Sequence, residues 1–124
     1  MPKFVLIVDD SAVLRKTLRK FLEQQDGWEV CGEAANGREG IEKARQLKPD
    51  VIVLDLSMPV MNGLEAAREL THLLPSVPLL MWTSFEIPYL TREALSAGVR
   101  KVVSKSESLE ELFGSIQALI EPVS

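Results

Sequence analysis

Five short apolar runs, at residues 4–8, 28–34, 51–54, 77–82 and 99–103, constrain this chain more than any other feature. They are short and rich in β-branched and aromatic residues, and 4–8 and 51–54 carry no polar residue at all. That reads as strands buried on both faces, the pattern of a parallel sheet with helices on each side. The stretches between the runs have helical spacing. Leu14, Leu18, Phe21 and Leu22 fall on one stripe behind Ser11, a capping residue, and Gly27 is the expected stop. Asn36 with Glu39, and Asn62 with Glu65, mark two further helix starts. The first of these helices ends near Leu47, before Lys48-Pro49-Asp50, and the second follows a loop containing Pro59. Pro88 suits a first helical turn and Gly98 closes that helix. Ser108 with Glu111 opens a last helix whose Leu109, Leu112, Phe113, Ile116 and Ile120 share a face, with Pro122 as its stop. Strand and helix alternate five times, which predicts a doubly wound α/β fold with a five-stranded parallel sheet.

The 124 residues are sized for one domain, expected over 1–124, and 46% hydrophobic content is enough for a continuous core. A net charge of −4 repels phosphate backbones, which argues against direct nucleic-acid binding. The single Cys31 and single His72 cannot build a zinc site. Cys31 reads as a small core residue and His72 as a surface residue. No apolar run is long enough to span a bilayer and no targeting segment is visible, so a cytoplasmic protein is expected.

In a doubly wound sheet ligands bind at the carboxyl ends of the strands. Those ends hold Asp9 and Asp10, Asn36, Asp55, Thr83 and Ser84, and Lys105. Three converging carboxylates repel one another unless a cation neutralises them, and an all-oxygen donor set suits Mg²⁺. Lys105 can then reach a phosphoryl oxygen, and the Thr83 hydroxyl can donate a further hydrogen bond, an arrangement for phosphoryl transfer. Taken singly, each has a plainer reading: Asp9 and Asp10 as helix caps, Asp55 as a turn former, Thr83 as a strand residue and Lys105 as a surface charge. Their shared placement at strand ends favours the joint reading.

These residues also resemble a known family. Val8-Asp9-Asp10-Ser11, the segment from Asp55 through Ser57-Met58-Pro59 to Asn62-Gly63, Thr83-Ser84, and Val102-Val103-Ser104-Lys105 are similar, in order and over essentially the whole chain, to the signatures of response regulator receiver domains. The resemblance implies a flavodoxin-like strand order 2-1-3-4-5. It implies that Asp55 accepts a phosphoryl group from a sensor histidine kinase or phosphotransfer protein. It further implies that Asp10, Asp55 and the Ser57 backbone carbonyl hold Mg²⁺, that Asp9 acts through water, and that Lys105 contacts the phosphoryl group. Thr83 would then pass the signal to an output partner through the face of the fourth helix, fifth strand and fifth helix.

The chain departs from the family pattern at three places. Val102 stands where many relatives carry an aromatic residue, so no ring is available there to couple to Thr83. Ser106 stands where proline is common, which makes a cis bond after Lys105 costlier by about 2 kcal/mol or more. Phe85 is bulky where a hydrolysing water would pass, and is expected to slow dephosphorylation. Arg15, Lys16, Arg19 and Lys20 form a basic strip that is either a solvated face or a kinase-docking surface. Trp82, beside Thr83, reads as a core aromatic able to report optically on the site. On this reading the protein is a phosphoacceptor module and not an enzyme. It is either a separate chemotaxis-type regulator or the N-terminal receiver of a longer transcriptional regulator. An aspartyl-nucleophile phosphohydrolase is disfavoured because Ser57 occupies the position of its second acid. A receiver-like module that no longer takes phosphate is disfavoured by the intact acids, Thr83 and Lys105.

Overall fold

The computed structural model describes residues 1–85 and 87–120, so the expected stop at Pro122 lies outside the described residues. Strands β1 (Lys3–Val8), β2 (Trp28–Ala34), β3 (Val51–Leu54), β4 (Leu79–Thr83) and β5 (Lys101–Ser104) alternate with helices α1 (Ala12–Glu23), α2 (Gly37–Leu47), α3 (Gly63–Leu73), α4 (Pro88–Ser96) and α5 (Leu109–Ile120). The strands form one parallel sheet in the order β2-β1-β3-β4-β5, as expected. Strand order therefore reverses beside β1, and the ends of β1 and β3 flank the reversal.

The uninterrupted apolar strands are explained by two cores. Alternate residues Leu6, Val8, Ile52, Leu54, Leu79 and Met81 face Ile41, Ala44, Ala66, Leu70 and Ala94 of α2, α3 and α4. Val5, Ile7, Val51, Val53, Leu80 and Trp82 face Leu18, Leu22, Leu112 and Ile116 of α1 and α5. Phe113 closes the second core edge-on against Trp28, ring centroids 5.1 Å apart, and against Phe21.

Helix starts follow the sequence signals. Ser11, Asn36 and Ser108 accept hydrogen bonds from the backbone N–H groups of Leu14, Glu39 and Glu111. Asn62 and Glu65 form a complete capping box. Other boundaries differ from expectation. Helix α1 ends at Glu23, and Gly27 (φ +84°) instead turns the chain into β2, where its carbonyl accepts the Lys3 N–H at 2.8 Å. Strand β4 starts at Leu79 and not at residue 77, because Pro78 has no N–H to give the ladder. Strand β5 starts at Lys101 and not at residue 99, because the Val99 N–H is spent on the Ala94 carbonyl at the end of α4. Gly98 (φ +105°) closes that helix as expected, and a Cβ there would lie 2.0 Å from Thr71 Oγ1. Cys31 is only half-buried, beside the first core, with Sγ 3.5 Å from the Val5 carbonyl oxygen, and this burial pushes its thiol pKa up. His72 is exposed, and no described helix is long and apolar enough to cross a membrane.

Candidate functional site

Asp9 and Asp10 lie just beyond β1 and Asp55 just beyond β3, at the point where strand order reverses. One carboxylate oxygen from each lies within 4.8 Å of the others. Asp9 is almost wholly buried, 1% exposed, whereas Asp10 is exposed. Asp9 Oδ1 accepts the Ser11 N–H at 2.9 Å, and Oδ2 lies 2.8 Å from Lys105 Nζ as an ion pair set off the hydrogen-bonding direction. Lys105 Nζ also lies 3.3 Å from Asp55 Oδ1 and 5.3 Å from the centre of the Trp82 ring, so the cation sits between two acids and an aromatic face. The end of β5 carries Lys105 into place, where its N–H donates to the Thr83 carbonyl at 2.8 Å.

Asp55 is 6% exposed, and its pKa is pushed up to about 6. Burial is the main cause and Asp9 adds to it, while Lys105 opposes both. The Asp55 N–H donates to the Val8 carbonyl, and Oδ1 accepts the Leu56 N–H at 2.9 Å. Behind it, Gly63 is obligatory. A Cβ there would lie 2.1 Å from the Asp55 carbonyl oxygen, so only glycine lets α3 begin against the acid. The loop from Asp55 to Gly63 contains a device with no sequence signal. Val60 has φ +67°, an uncommon conformation for a β-branched residue, and the Met61 N–H donates back to the Pro59 carbonyl at 2.7 Å, a strained γ-turn. The Met61 carbonyl in turn accepts the Gly37 N–H, tying this loop to the start of α2. Asn36, the polar residue at the end of β2, is occupied as the cap of α2, and Ser57 is exposed on the loop.

The β4 and β5 ends are built differently. Thr83 is buried, and its Oγ1 accepts the Phe85 N–H at 3.1 Å. Ser84 and Phe85 are exposed beyond it. Val102 is half-buried, and with Thr83, Phe85 and Pro88 it borders a cavity of ≈ 390 Å³ between α4 and β5. No cis peptide occurs among the described residues, and Ser106 meets Ser104 Oγ through its N–H at 3.1 Å and through its hydroxyl at 2.7 Å. The basic strip on α1 is divided. Arg15 and Arg19 turn onto Glu33 of β2 at 3.0 and 2.9 Å, while Lys16 and Lys20 are exposed.

Fold and site together define a single-sheet α/β module with an acidic cluster and one lysine at its topological switch point. The chain belongs to the response regulator receiver domain family, whose model matches residues 5–117, and it is thereby a receiver domain of the two-component and chemotaxis response regulators. It is 39% identical over 105 residues to the chemotaxis protein CheY of Thermotoga maritima, covering 85% of this chain and 87% of that protein. It is 43% identical over 102 residues to a protein-glutamate methylesterase/protein-glutamine glutaminase of Alkalilimnicola ehrlichii, covering 81% of this chain but 26% of that protein. The transcriptional regulatory protein LnrK of Bacillus subtilis is 35% identical, and the match covers 52% of it. Among solved structures, the response regulator domain of Thermotoga maritima CheB superposes with a TM-score of 0.91 at 32% identity, with both chains covered completely.

Proposed function

We propose that this receiver accepts a phosphoryl group on Asp55 from the phosphohistidine of a sensor histidine kinase or phosphotransfer protein, and that Mg²⁺ assists. The observation that carries the reading is the cluster of Asp9, Asp10 and Asp55 within 4.8 Å, closed by Lys105. An all-carboxylate donor set with one exposed acid fits a hard, partly hydrated ion; the pKa of Asp55 is raised mainly by burial and further by Asp9, and a cation beside the pair would oppose both. Asp10, Asp55 and the Ser57 carbonyl would hold the ion, with Asp9 acting through water. When bound, the ion supplies neutralisation of charge on the phosphoryl oxygens.

The chain's own residues do the rest. Above pH 6 the Asp55 carboxylate is ionised, and one of its oxygens attacks phosphorus. The P–O bond forms as the P–N bond to the donor imidazole breaks, and the electron pair returns to the ring nitrogen. Lys105, held 3.3 Å from Asp55, offers its ammonium to the incoming phosphoryl oxygens. Thr83 Oγ1 accepts from Phe85 but keeps its own hydrogen to donate. Turning that donor toward the phosphoryl group would release the Phe85 N–H and carry the change to the face of α4, β5 and α5, where an output partner binds. Phe85, exposed at the rim, slows the water that hydrolyses the acyl phosphate. The module is a phosphoacceptor and not an enzyme in its own right. Its matches to both a near-full-length CheY and the receiver parts of longer regulators fit either a separate cytoplasmic protein or a part of a larger one.

The test is a Mg²⁺ titration followed by beryllium fluoride, a phosphoryl mimic, read by tryptophan fluorescence, to which Trp82 beside the site contributes, with Asp55→Asn as control. A Mg²⁺-dependent change lost in Asp55→Asn is expected, and no response in the unmutated chain would overturn the reading.

A further inference from the structure

The Asp9 carbonyl is the first past the end of β1, and a side chain, Arg15, supplies its hydrogen bond. Arg15 Nη1 donates to it at 2.6 Å. The same guanidinium is fixed from behind, because its Nε donates to Glu33 Oε1 at 3.0 Å and the group is largely buried, with 17% of the side chain exposed. Glu33 is itself anchored, by Arg19 on its other oxygen at 2.9 Å and by Lys43, which donates to its backbone carbonyl. The bonded carbonyl belongs to the peptide plane that joins Asp9 to Asp10. Its orientation decides where the exposed Asp10 carboxylate projects relative to the buried Asp9 and Asp55. The strand cannot set that plane, since β1 has ended at Val8.

We infer that Arg15 is a positioning residue: braced on Glu33, it locks the Asp9–Asp10 peptide plane so that the two acids and Asp55 converge on one cation. This rests on the proposed metal-assisted reading of the site. Partners in this outer layer commonly change metal affinity by about 10- to 100-fold when removed. Arg19 is the internal control. It pairs with the same Glu33, through an ion pair set off the hydrogen-bonding direction, and has no bond to Asp9. Charge alone predicts the opposite sign, because deleting a guanidinium next to an acidic cluster should tighten binding of a cation.

The experiment titrates Mg²⁺ alone into the full chain and into Arg15→Ala, Arg15→Lys and Arg19→Ala. Trp fluorescence reads binding, and circular dichroism and thermal midpoint check the fold. The half-saturating Mg²⁺ concentration is expected to rise about tenfold in Arg15→Ala, to rise less in Arg15→Lys, which keeps one donor but cannot bridge both partners, and to stay unchanged in Arg19→Ala. Unchanged or tighter binding in Arg15→Ala overturns the inference, as does an equal loss in Arg19→Ala. If Arg15→Ala fails to fold, Arg15→Lys decides in the same way. An unmutated chain that does not respond to Mg²⁺ overturns the metal reading itself, an outcome visible before any variant is compared.

Discussion

The ends of β1 and β3 and the ends of β4 and β5 lie on one edge of the same sheet, yet they are held in place very differently. At the first pair the buried groups are densely bonded, while the Asp10 carboxylate is left exposed. Asp9 is held at both carboxylate oxygens, its N–H and its carbonyl, Asp55 abuts Gly63, and α3 opens on a full capping box. At the second pair, the Thr83 side chain is joined to the following loop by one hydrogen bond at 3.1 Å, and α4 starts at Pro88 behind Ile87, which offers no side-chain cap. Helix α4 buries only Ala94 among its residues and lies over a cavity. The difference teaches a division of labour. The acids must keep one geometry against their own repulsion, whereas a region that responds must be cheap to rearrange, since switching elements come from the less stable parts of a fold.

The most severe way to break this contrast is Gly63→Ala. Its Cβ would meet the Asp55 carbonyl oxygen at 2.1 Å, and the backbone must move to admit it. A loss of about 3 kcal/mol in urea unfolding is expected, together with loss of the Mg²⁺ response. A loss below about 1 kcal/mol would show that the Asp55 edge is more pliable than its packing implies. Lys105→Met comes next. It leaves buried Asp9 and Asp55 facing each other without a cation, and about 2 kcal/mol of stability at pH 7 should disappear, much of it restored by millimolar Mg²⁺.

Asp55→Asn should do the reverse. In the folded chain Asp55 titrates at about 6, against an ordinary 3.8, so between these values the folded state holds a proton that the unfolded state has lost. Stability from this group therefore falls as pH rises from about 4 to 6 and stays low above that. The substitution removes this penalty. It is expected to stabilise by about 1–2 kcal/mol at pH 7.5, after allowing for the lost contact with Lys105, and by almost nothing at pH 4. Equal gains at both pH values would sink the electrostatic explanation. The smallest effect belongs to the other region. Ile87→Ser adds the missing cap to α4 and should raise stability by about 0.5–1 kcal/mol while making beryllium fluoride less able to shift the tryptophan fluorescence.

Much of this was legible from the chain. Strand and helix order, the capping residues and the placement of Asp9, Asp10, Asp55, Thr83 and Lys105 at strand ends all follow from apolar periodicity and the residues that interrupt it. The apolar pattern places the starts of β4 and β5 two residues early, because it registers neither the N–H that Pro78 lacks nor the Val99 N–H spent on the Ala94 carbonyl. Cys31, which reads as core from its sequence, is only half-buried because β2 lies at the edge of the sheet, where its residues are covered only in part. The γ-turn at Val60 could not be foreseen, since a β-branched residue is the last expected at positive φ, and only the bonds on either side hold it there.

Arg15 shows where the limit lies. Its spacing along α1 places it in a basic strip with Lys16, Arg19 and Lys20, and nothing local distinguishes it from a solvated charge. Local periodicity was enough to determine an α/β sheet and to bring the acids and the lysine to one edge of it, because the end of each strand is set by its own residues. Tertiary structure alone decided that Asp9 is buried and Asp10 exposed, and that Arg15 turns inward to join Asp9 to Glu33. Those outcomes depend on the distances between α1, β2 and the end of β1, which are set when the sheet closes against its helices.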